Sequence, residues 1–406
     1  MLFFLGVSSV GFAQELMPIF EDTINDDNIL KISSFNYYSS NRFSNDLMDK
    51  FLFGGEITQD IKDRNSNRLK GYNALGLEAE QTIQNYIPSI KPFGKDNYGM
   101  IMTFSDNHFA SSNIPPGLFN LGMYGNYDYQ GDTLNFSLAH AQYQHYQKLS
   151  FGFYDKKTMS SVQIGYVAGS KGFNFRTLES SFYTHPDGDT ITSYLSGEGS
   201  ASERFYPYLA FTGGGFSVDI NLNFLFENKK GQRQVVNFKV NNLGMIFWNQ
   251  NTNLYSMDDT ITYKGFEIHD IIEGTASTEV DFADTLGITH QTGRIGEVLP
   301  LELIIQKIPD HGSKQKLQPI YGFKSILTTD FFPYFFGGVY YQPIENFSGS
   351  TRVSYGGFGG LKWGLNLNYW LKDKASFYLG SYDLIGFISK NYGMGRSLNF
   401  GANIKL

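Results

Sequence analysis

Between Leu361 and Leu371 the chain alternates so regularly that few folds can accommodate it. Trp363, Leu365, Leu367, Tyr369 and Leu371 fall on one face of an extended strand. Lys362, Gly364, Asn366 and Asn368 fall on the other, and Trp370 is the one break. Successive side chains of a strand point to opposite faces, so one face is apolar and the other polar or small. Lys372-Asp373-Lys374 reads as a tight turn and Ala375–Asp383 as the returning strand. The last residues repeat the pattern: Leu398, Phe400, Ala402, Ile404 and Leu406 alternate with Ser397, Asn399, Gly401, Asn403 and Lys405. A soluble sandwich also alternates, but it rarely sets Lys, Asn and Gly against so wide an aromatic face. A barrel closed by its last strand, apolar outside and polar inside, is expected to do so.

Composition agrees with that architecture. Aromatic residues make up 17%, with 37 Phe and 27 Tyr against 3 Trp, and the chain carries 44 Gly but only 12 Pro. Strands favour aromatic side chains, and barrels add aromatic girdles at both membrane interfaces. Charged residues reach 17% and mean hydropathy is -0.27, between a helical membrane protein and an ordinary soluble one. No run approaches the ~18–20 apolar residues of a membrane helix. The net charge of -7 without a basic block argues against a nucleic-acid partner. The absence of Cys removes disulfides, thiolate metal sites and cysteine nucleophiles.

In chain order, Met1–Ala13 reads as the end of a signal peptide, with an apolar run over Leu2–Val10 and small residues before Gln14. Residues 14–28 form a polar lead, expected to be mobile and periplasmic, and 29–406 the barrel domain. Ile29–Ser39 and Leu47–Ile57 are strand candidates. Leu75, Ala79, Ile83 and Tyr86 fall at helical spacing, so Asn73–Tyr86 is expected to be an amphipathic helix lying in the lumen or at the periplasmic mouth. With the segment through Gly125, it would partly occupy the lumen. Further strands are expected at Tyr98–Phe109, Thr133–Ala141, Lys148–Tyr154, Met159–Ala168, Phe173–Tyr183 and Thr190–Leu195. The clearest hairpin sets Phe216, Val218, Ile220, Leu222, Phe224 and Phe226 on one face and Ser217, Asp219, Asn221, Asn223 and Glu227 on the other. It returns through Val236, Phe238 and Val240. Leu254–Phe266 reads as a strand interrupted at Asp258-Asp259 and Ile268–Ile288 as mixed. The remaining meander runs Leu299–Ile308, Leu317–Leu327, Tyr334–Tyr341 and Thr351–Phe358. The fold class is all-β: a closed antiparallel transmembrane β-barrel of about 14 strands, in a range of roughly 12–16. Short helical or irregular segments lie in its lumen or at one mouth.

Three stretches resemble outer-membrane barrels of Bacteroidota. They are Phe12-Ala13-Gln14, the segment Gly213–Asp219 continued by Asn241–Trp248, and the run Ser376–Leu384. Together they are similar to an uncharacterised family of such barrels, a domain of unknown function. That family is in turn similar to the long-chain fatty-acid transporter group and the type IX secretion shuttle barrel. The resemblance implies an outer-membrane location and assigns no functional residue.

The titratable residues form no recognisable active or metal site. His108, His140, His145, His185, His269, His290 and His311 are scattered, with no helical ligand pair. His140 and His145 could meet across a turn. His108 with Ser111 and Ser112 is the nearest approach to the Ser–His pair of an outer-membrane phospholipase, but it lacks an orienting third group. No catalytic, cofactor-binding or metal-binding residue is therefore assigned, no cofactor is expected, and the chain is not read as an enzyme. Gly213–Gly215 and Gly356–Gly360 lack the ending of a phosphate loop and suit bends and close strand approach. Asp187/Asp189 and Asp258/Asp259 offer too few oxygens for Ca²⁺ and read as turn residues. Asp-Thr-Ile/Leu recurs at Thr23, Thr133, Thr190, Thr260 and Thr285 and is similar to an O-glycan acceptor of Bacteroidota. Strand starts explain Thr133, Thr190 and Thr260, which leaves Thr23 in the lead as the acceptor candidate.

The partners expected are outer-membrane lipid and either a small hydrophobic or amphipathic solute or proteins of secretion or assembly. Passage requires an apolar path and a movable plug. A membrane-embedded partner of an export or surface-assembly complex requires neither and tolerates a sealed lumen. The packing of Leu118, Phe119, Leu121 and Tyr124 against the inner wall is expected to separate the two.

Overall fold

The computed structural model describes residues 18–21, 26–203, 211–229, 231–263, 288–372 and 374–406. β1 (Ile29–Ser40) runs from one end of the wall, the base, to the other, the crown. β2 (Ala74–Ile87) returns and β3 (Tyr98–Asn113) rises again. After a short β4 (Thr133–Asn135) come β5 (His140–Asp155) and β6 (Ser161–Thr184). Two strands in line fill the next place: β7 (Ile191–Ala201) beside the upper half of β6, and β8 (Gly213–Glu227) beside the lower. β9 (Arg233–Tyr263) is followed by another split place, shared by β10 (Ile288–Val298) and β11 (Glu302–Ile308). The meander closes with β12 (Leu317–Ile326), β13 (Phe332–Ile344), β14 (Phe347–Gly357), β15 (Gly359–Leu371), β16 (Ala375–Ser381) and β17 (Gly395–Lys405). β17 pairs back onto β1 from Ile29↔Lys405 to Ser39↔Gly395. The short β4 lies in line with β5 along β6, a third split place, and counting each split place once the described wall is a closed antiparallel barrel of fourteen strands. Closure matters because it leaves no edge of unpaired backbone donors and acceptors.

The wall is apolar outside and polar within. Along β15, Leu361 is 65% exposed while its neighbour Lys362 is 1% exposed. Trp363, Leu365, Leu367, Tyr369 and Leu371 also point outward, and Asn366 and Asn368 are buried in the lumen. Trp370, the break in the alternation, faces inward. At the base its ring stacks on His311 at 4.2 Å, and its Nε1–H donates to Glu21 at 3.0 Å. The hairpin of β8 and β9 keeps the expected register. Leu222 pairs with Phe238 and Asn221 with Lys239.

Three expectations are overturned. Asn73–Tyr86 is not a helix but β2, part of the wall. Leu75, Ala79 and Ile83 share a strand face as well as a helix face, because a spacing of four is a multiple of two as well as nearly 3.6. Between them lie Gly76, Glu78, Glu80 and Thr82 on the lumen face. Leu47–Ile57 is not a strand: α1 (Asn45–Phe53) occupies it and α2 (Gln59–Ser66) follows. Nor is there a break at Asp258-Asp259, which continue β9 and pair with Ser196 and Leu195. Met159–Ala168 and Phe173–Tyr183 fuse into the single strand β6. The helices therefore lie at the crown, not in the lumen or at the base. With α3 (Pro116–Tyr124) they pack into one apolar cluster built on Phe43, Leu47, Met48 and Phe119. A last short helix, α4 (Ile385–Ile388), sits beside the start of β17. Within the lead, Pro18–Glu21 is held at the base rather than free. The segments 1–17, 22–25 and 264–287, and with them the signal peptide, Thr23, His269 and Thr285, lie outside the described residues.

Candidate functional site

The place where this fold can act is its lumen, and charged groups cross it. Lys324 on β12 extends its ammonium to Glu78 on β2 at 2.7 Å and to Glu302 on β11 at 2.8 Å. β2 and β12 lie on opposite sides of the barrel. Asn241 donates to Glu302 at 2.6 Å. Nearby, Lys148 pairs with Asp219 at 2.9 Å and donates to Asn242 at 2.7 Å. Thr103 donates to Gln163 at 2.7 Å, joining β3 to β6 across β5. Buried charges are tolerable only when paired and hydrogen-bonded in this way.

Above and beside these pairs lies an aromatic layer. The Arg352 guanidinium sits 3.5 Å from the Tyr382 ring centre, and Tyr382 packs on Phe35. Phe358, in the crown turn between β14 and β15, reaches across to Phe109 and meets Phe331 edge-on. Two glycine positions make this possible. A Cβ on Gly76 would come within 2.2 Å of the Phe358 ring. Gly356, at φ 106°, turns the chain in a conformation that side chains rarely adopt, and its carbonyl accepts from Lys362 at 2.7 Å.

Among the described residues, contacts cross both mouths. At the crown, His140 contacts Asp330 at 2.5 Å, Gln142 donates to Thr328 at 2.9 Å and Gln144 to Glu297 at 3.2 Å. Tyr72 donates to Asp330 and to the Thr329 carbonyl, and burial raises its hydroxyl pKa well above the ordinary value. Arg396 grips Asp49 with two nitrogens and ties α1 to β17. At the base, Phe20 is buried on Val235 and Ile308. Its N–H donates to the Pro309 carbonyl and its own carbonyl accepts from His311, both at 2.9 Å. Two cavities among the described residues, of about 10 Å³ beside Ile19 and about 50 Å³ beside Phe35, Glu80 and Tyr146, have room for a few ordered waters.

The sequence candidates scatter accordingly. His108 faces outward and Ser111 inward, so they lie on opposite sides of β3. Ser112 shares the face of His108 but stands four residues away, roughly 13 Å along a strand. His140 and His145 do not meet, because both belong to β5 and point to opposite faces. His145 instead stacks on His108, its registered neighbour on β3, at 4.0 Å. Only the pairing of β3 with β5 reveals that contact, together with Asp106 beside it. Asp187 and Asp189 lie in an exposed tip with His185, whose ring contacts Asp187 at 2.7 Å and holds its carboxyl below the usual range. Asp258 and Asp259 point to opposite faces of β9. Gly213–Gly215 lie in β8, with Gly213 against the Trp248 ring. Phe119 packs on Phe43 in the crown cluster, while Leu118 and Tyr124 are not part of that buried core. Helix α3 therefore serves the cap and not the inner wall.

A family model described as a family of unknown function, DUF5723, matches residues 28–381. No curated protein matches the chain. Among solved structures, the chain is similar to a Pseudomonas aeruginosa FadL homologue at 10% identity and a TM-score of 0.45, covering 98% of this chain and 100% of that one. It is also similar to the P. putida toluene transporter TodX (8% identity, TM-score 0.36, 93% and 88% covered). A third is the translocator domain of the autotransporter NalP from Neisseria meningitidis (7%, TM-score 0.29, 94% and 89%). At these identities and scores the likenesses say nothing about activity.

Proposed function

This chain belongs to the family of unknown function DUF5723, and we propose that it is an outer-membrane β-barrel with a sealed lumen that serves as a membrane-embedded partner in an export or surface-assembly complex. The observation that carries the reading is the Lys324 ammonium held between Glu78 and Glu302 across the lumen. A passage at that level would have to break both ion pairs. The outer-membrane part rests on the outward face, where a broad apolar band on a closed barrel suits lipid and not water. The partner part is supported by the crown, where Phe53, Ile388 and Tyr392 stand 80%, 73% and 76% exposed beyond a cap that has no further use for them.

The membrane reading makes Leu222→Arg costly. Leu222 points outward six residues above the base turn, and an Arg near the bilayer midplane costs ~2–4 kcal/mol on a barrel exterior. The drop is read in refolding into lipid vesicles by urea titration. On a water-facing wall the same change would stay within about 0.5 kcal/mol. Asn221→Arg is no mild control, because Asn221 is packed inside and accepts from Asn237 at 2.7 Å.

One observation favours a second reading, gated passage of a small hydrophobic or amphipathic solute. At the base mouth sits Pro18–Glu21, a chain segment outside the wall that is held by two backbone hydrogen bonds, by Phe20 and by the Trp370–Glu21 hydrogen bond. Planar-bilayer recordings separate the two. With a sealed lumen, neither the full chain nor a variant lacking residues 18–21 gives conductance steps, because the charge and aromatic layers remain. Steps in the deletion variant alone would establish the gated reading.

A further inference from the structure

Asp106, His108, His145 and Gln147 form a polar island on the outer face of the barrel. On β3 they follow the outward Met102 and Phe104, and on β5 they precede the outward Leu149 and Phe151, all exposed apolar residues. His108 lies directly opposite His145, and Asp106 opposite Gln147. The imidazole rings stack at 4.0 Å and 9°. Both Nε2 atoms converge on one carboxylate: His145 at 2.9 Å from Oδ1 and His108 at 3.5 Å from Oδ2 of Asp106. The three ligand atoms lie within 4.8 Å of one another, on two strands that are paired along their whole length.

The surroundings orient these atoms toward one another. Ser170 donates to Gln147 Oε1 at 2.7 Å, which aims the amide nitrogen of Gln147 at the cluster. That nitrogen donates to Asp106 Oδ1 at 2.7 Å and meets His145 Nε2 at 2.9 Å. His145 Nε2 and Asp106 Oδ1 face each other at 2.9 Å, a contact that a cation between them, a proton or a metal ion, bridges. His108 Nδ1 meets the Tyr143 hydroxyl at 2.8 Å, which holds the ring with Nε2 toward the carboxylate. Outer partners that orient the ligating nitrogen and carboxylate are what metal sites have. Two imidazoles and one carboxylate suit a divalent transition ion, with a further position for water.

We propose that Asp106, His108 and His145 bind one divalent transition-metal ion of the zinc, nickel and copper class on the outer face of the wall. The test uses the tag-free full chain in detergent, stripped with chelator and titrated with Zn²⁺ by calorimetry. One ion binds per chain. His145→Gln removes the binding, and Gln147→Leu keeps the stoichiometry but weakens affinity ~10–100-fold. His185→Gln, in the exposed tip, leaves the titration unchanged. The wild-type chain loaded with one Cu²⁺ shows superhyperfine coupling to two nitrogens in its electron paramagnetic resonance spectrum, a readout that needs no variant. Four results each overturn the proposal: no Zn²⁺ uptake by the wild type, uptake unchanged in folded His145→Gln, uptake lost in His185→Gln, or fewer than two coupled nitrogens. In the first, the cation between His145 and Asp106 is a proton.

Discussion

A chain lacking Asn399–Leu406 does not form the heat-modifiable, protease-resistant species that the full chain forms. Those residues are most of β17, and β17 is paired on both sides. It meets β16 from Gly380↔Asn399 to Ala375↔Ile404, and β1 from Phe35↔Asn399 to Ile29↔Lys405. Removing it exposes two strand edges at once. In lipid each unpaired backbone group costs several kcal/mol, which exceeds the few to fifteen kcal/mol a folded domain holds in reserve. The loss is therefore complete rather than graded. The assay compares boiled and unboiled mobility after refolding into vesicles, with trypsin added to the unboiled sample. A truncated chain that keeps its compact mobility would mean that residues 399–406 are a tail.

Lys324→Met costs about 3–5 kcal/mol, the range for breaking a buried ion pair by removing one partner. Lys324 is nearly buried and holds two carboxylates, Glu78 and Glu302. Without the ammonium these two carboxylates are left unpaired in a buried site. Urea unfolding in lipid measures the loss. The triple variant Lys324→Met, Glu78→Gln, Glu302→Gln recovers most of it, because no unpaired charge remains. In a water-filled lumen the single change would cost under about 1 kcal/mol, and that result would remove the basis for a sealed interior.

The wall was legible in the sequence wherever lipid-type residues alternate with lumen-type ones, as in Leu361–Leu371 and Phe216–Phe226. Alternation reports which face a residue takes, and here that settles the architecture. It failed where residues fit two periods. Leu75, Ala79 and Ile83 satisfy both helix and strand, and Tyr86, inward at the base beside Tyr154, belongs to the strand. α1 was missed because Leu47, Met48, Phe51 and Phe53 make a short apolar run without strict period. Its burial comes from α2 and α3, distant in sequence. The candidate metal cluster was invisible for another reason. His108 and His145 are 37 positions apart, and only the register of β3 on β5 brings them together. The ion pairs across the lumen were equally hidden, because a polar inner face is the same sequence whether water or a partner from the opposite wall satisfies it. Trp370 was the exception, a visible irregularity that marked the residue meeting Glu21 at the base.

The chain has no cysteine, so closure can be measured directly by adding two. Ile32 and Ala402 are opposite each other on β1 and β17, both on the outer face. Residues so paired have Cα atoms about 4.5–5.5 Å apart, within reach of a disulfide. The variant Ile32→Cys, Ala402→Cys, folded in vesicles and treated with oxidant, should cross-link nearly to completion and lose two free thiols per chain. Ile32→Cys, Leu398→Cys, four residues out of register, should retain both thiols. Cross-linking of the second pair in preference to the first, or of neither, would contradict a barrel closed by β17 on β1.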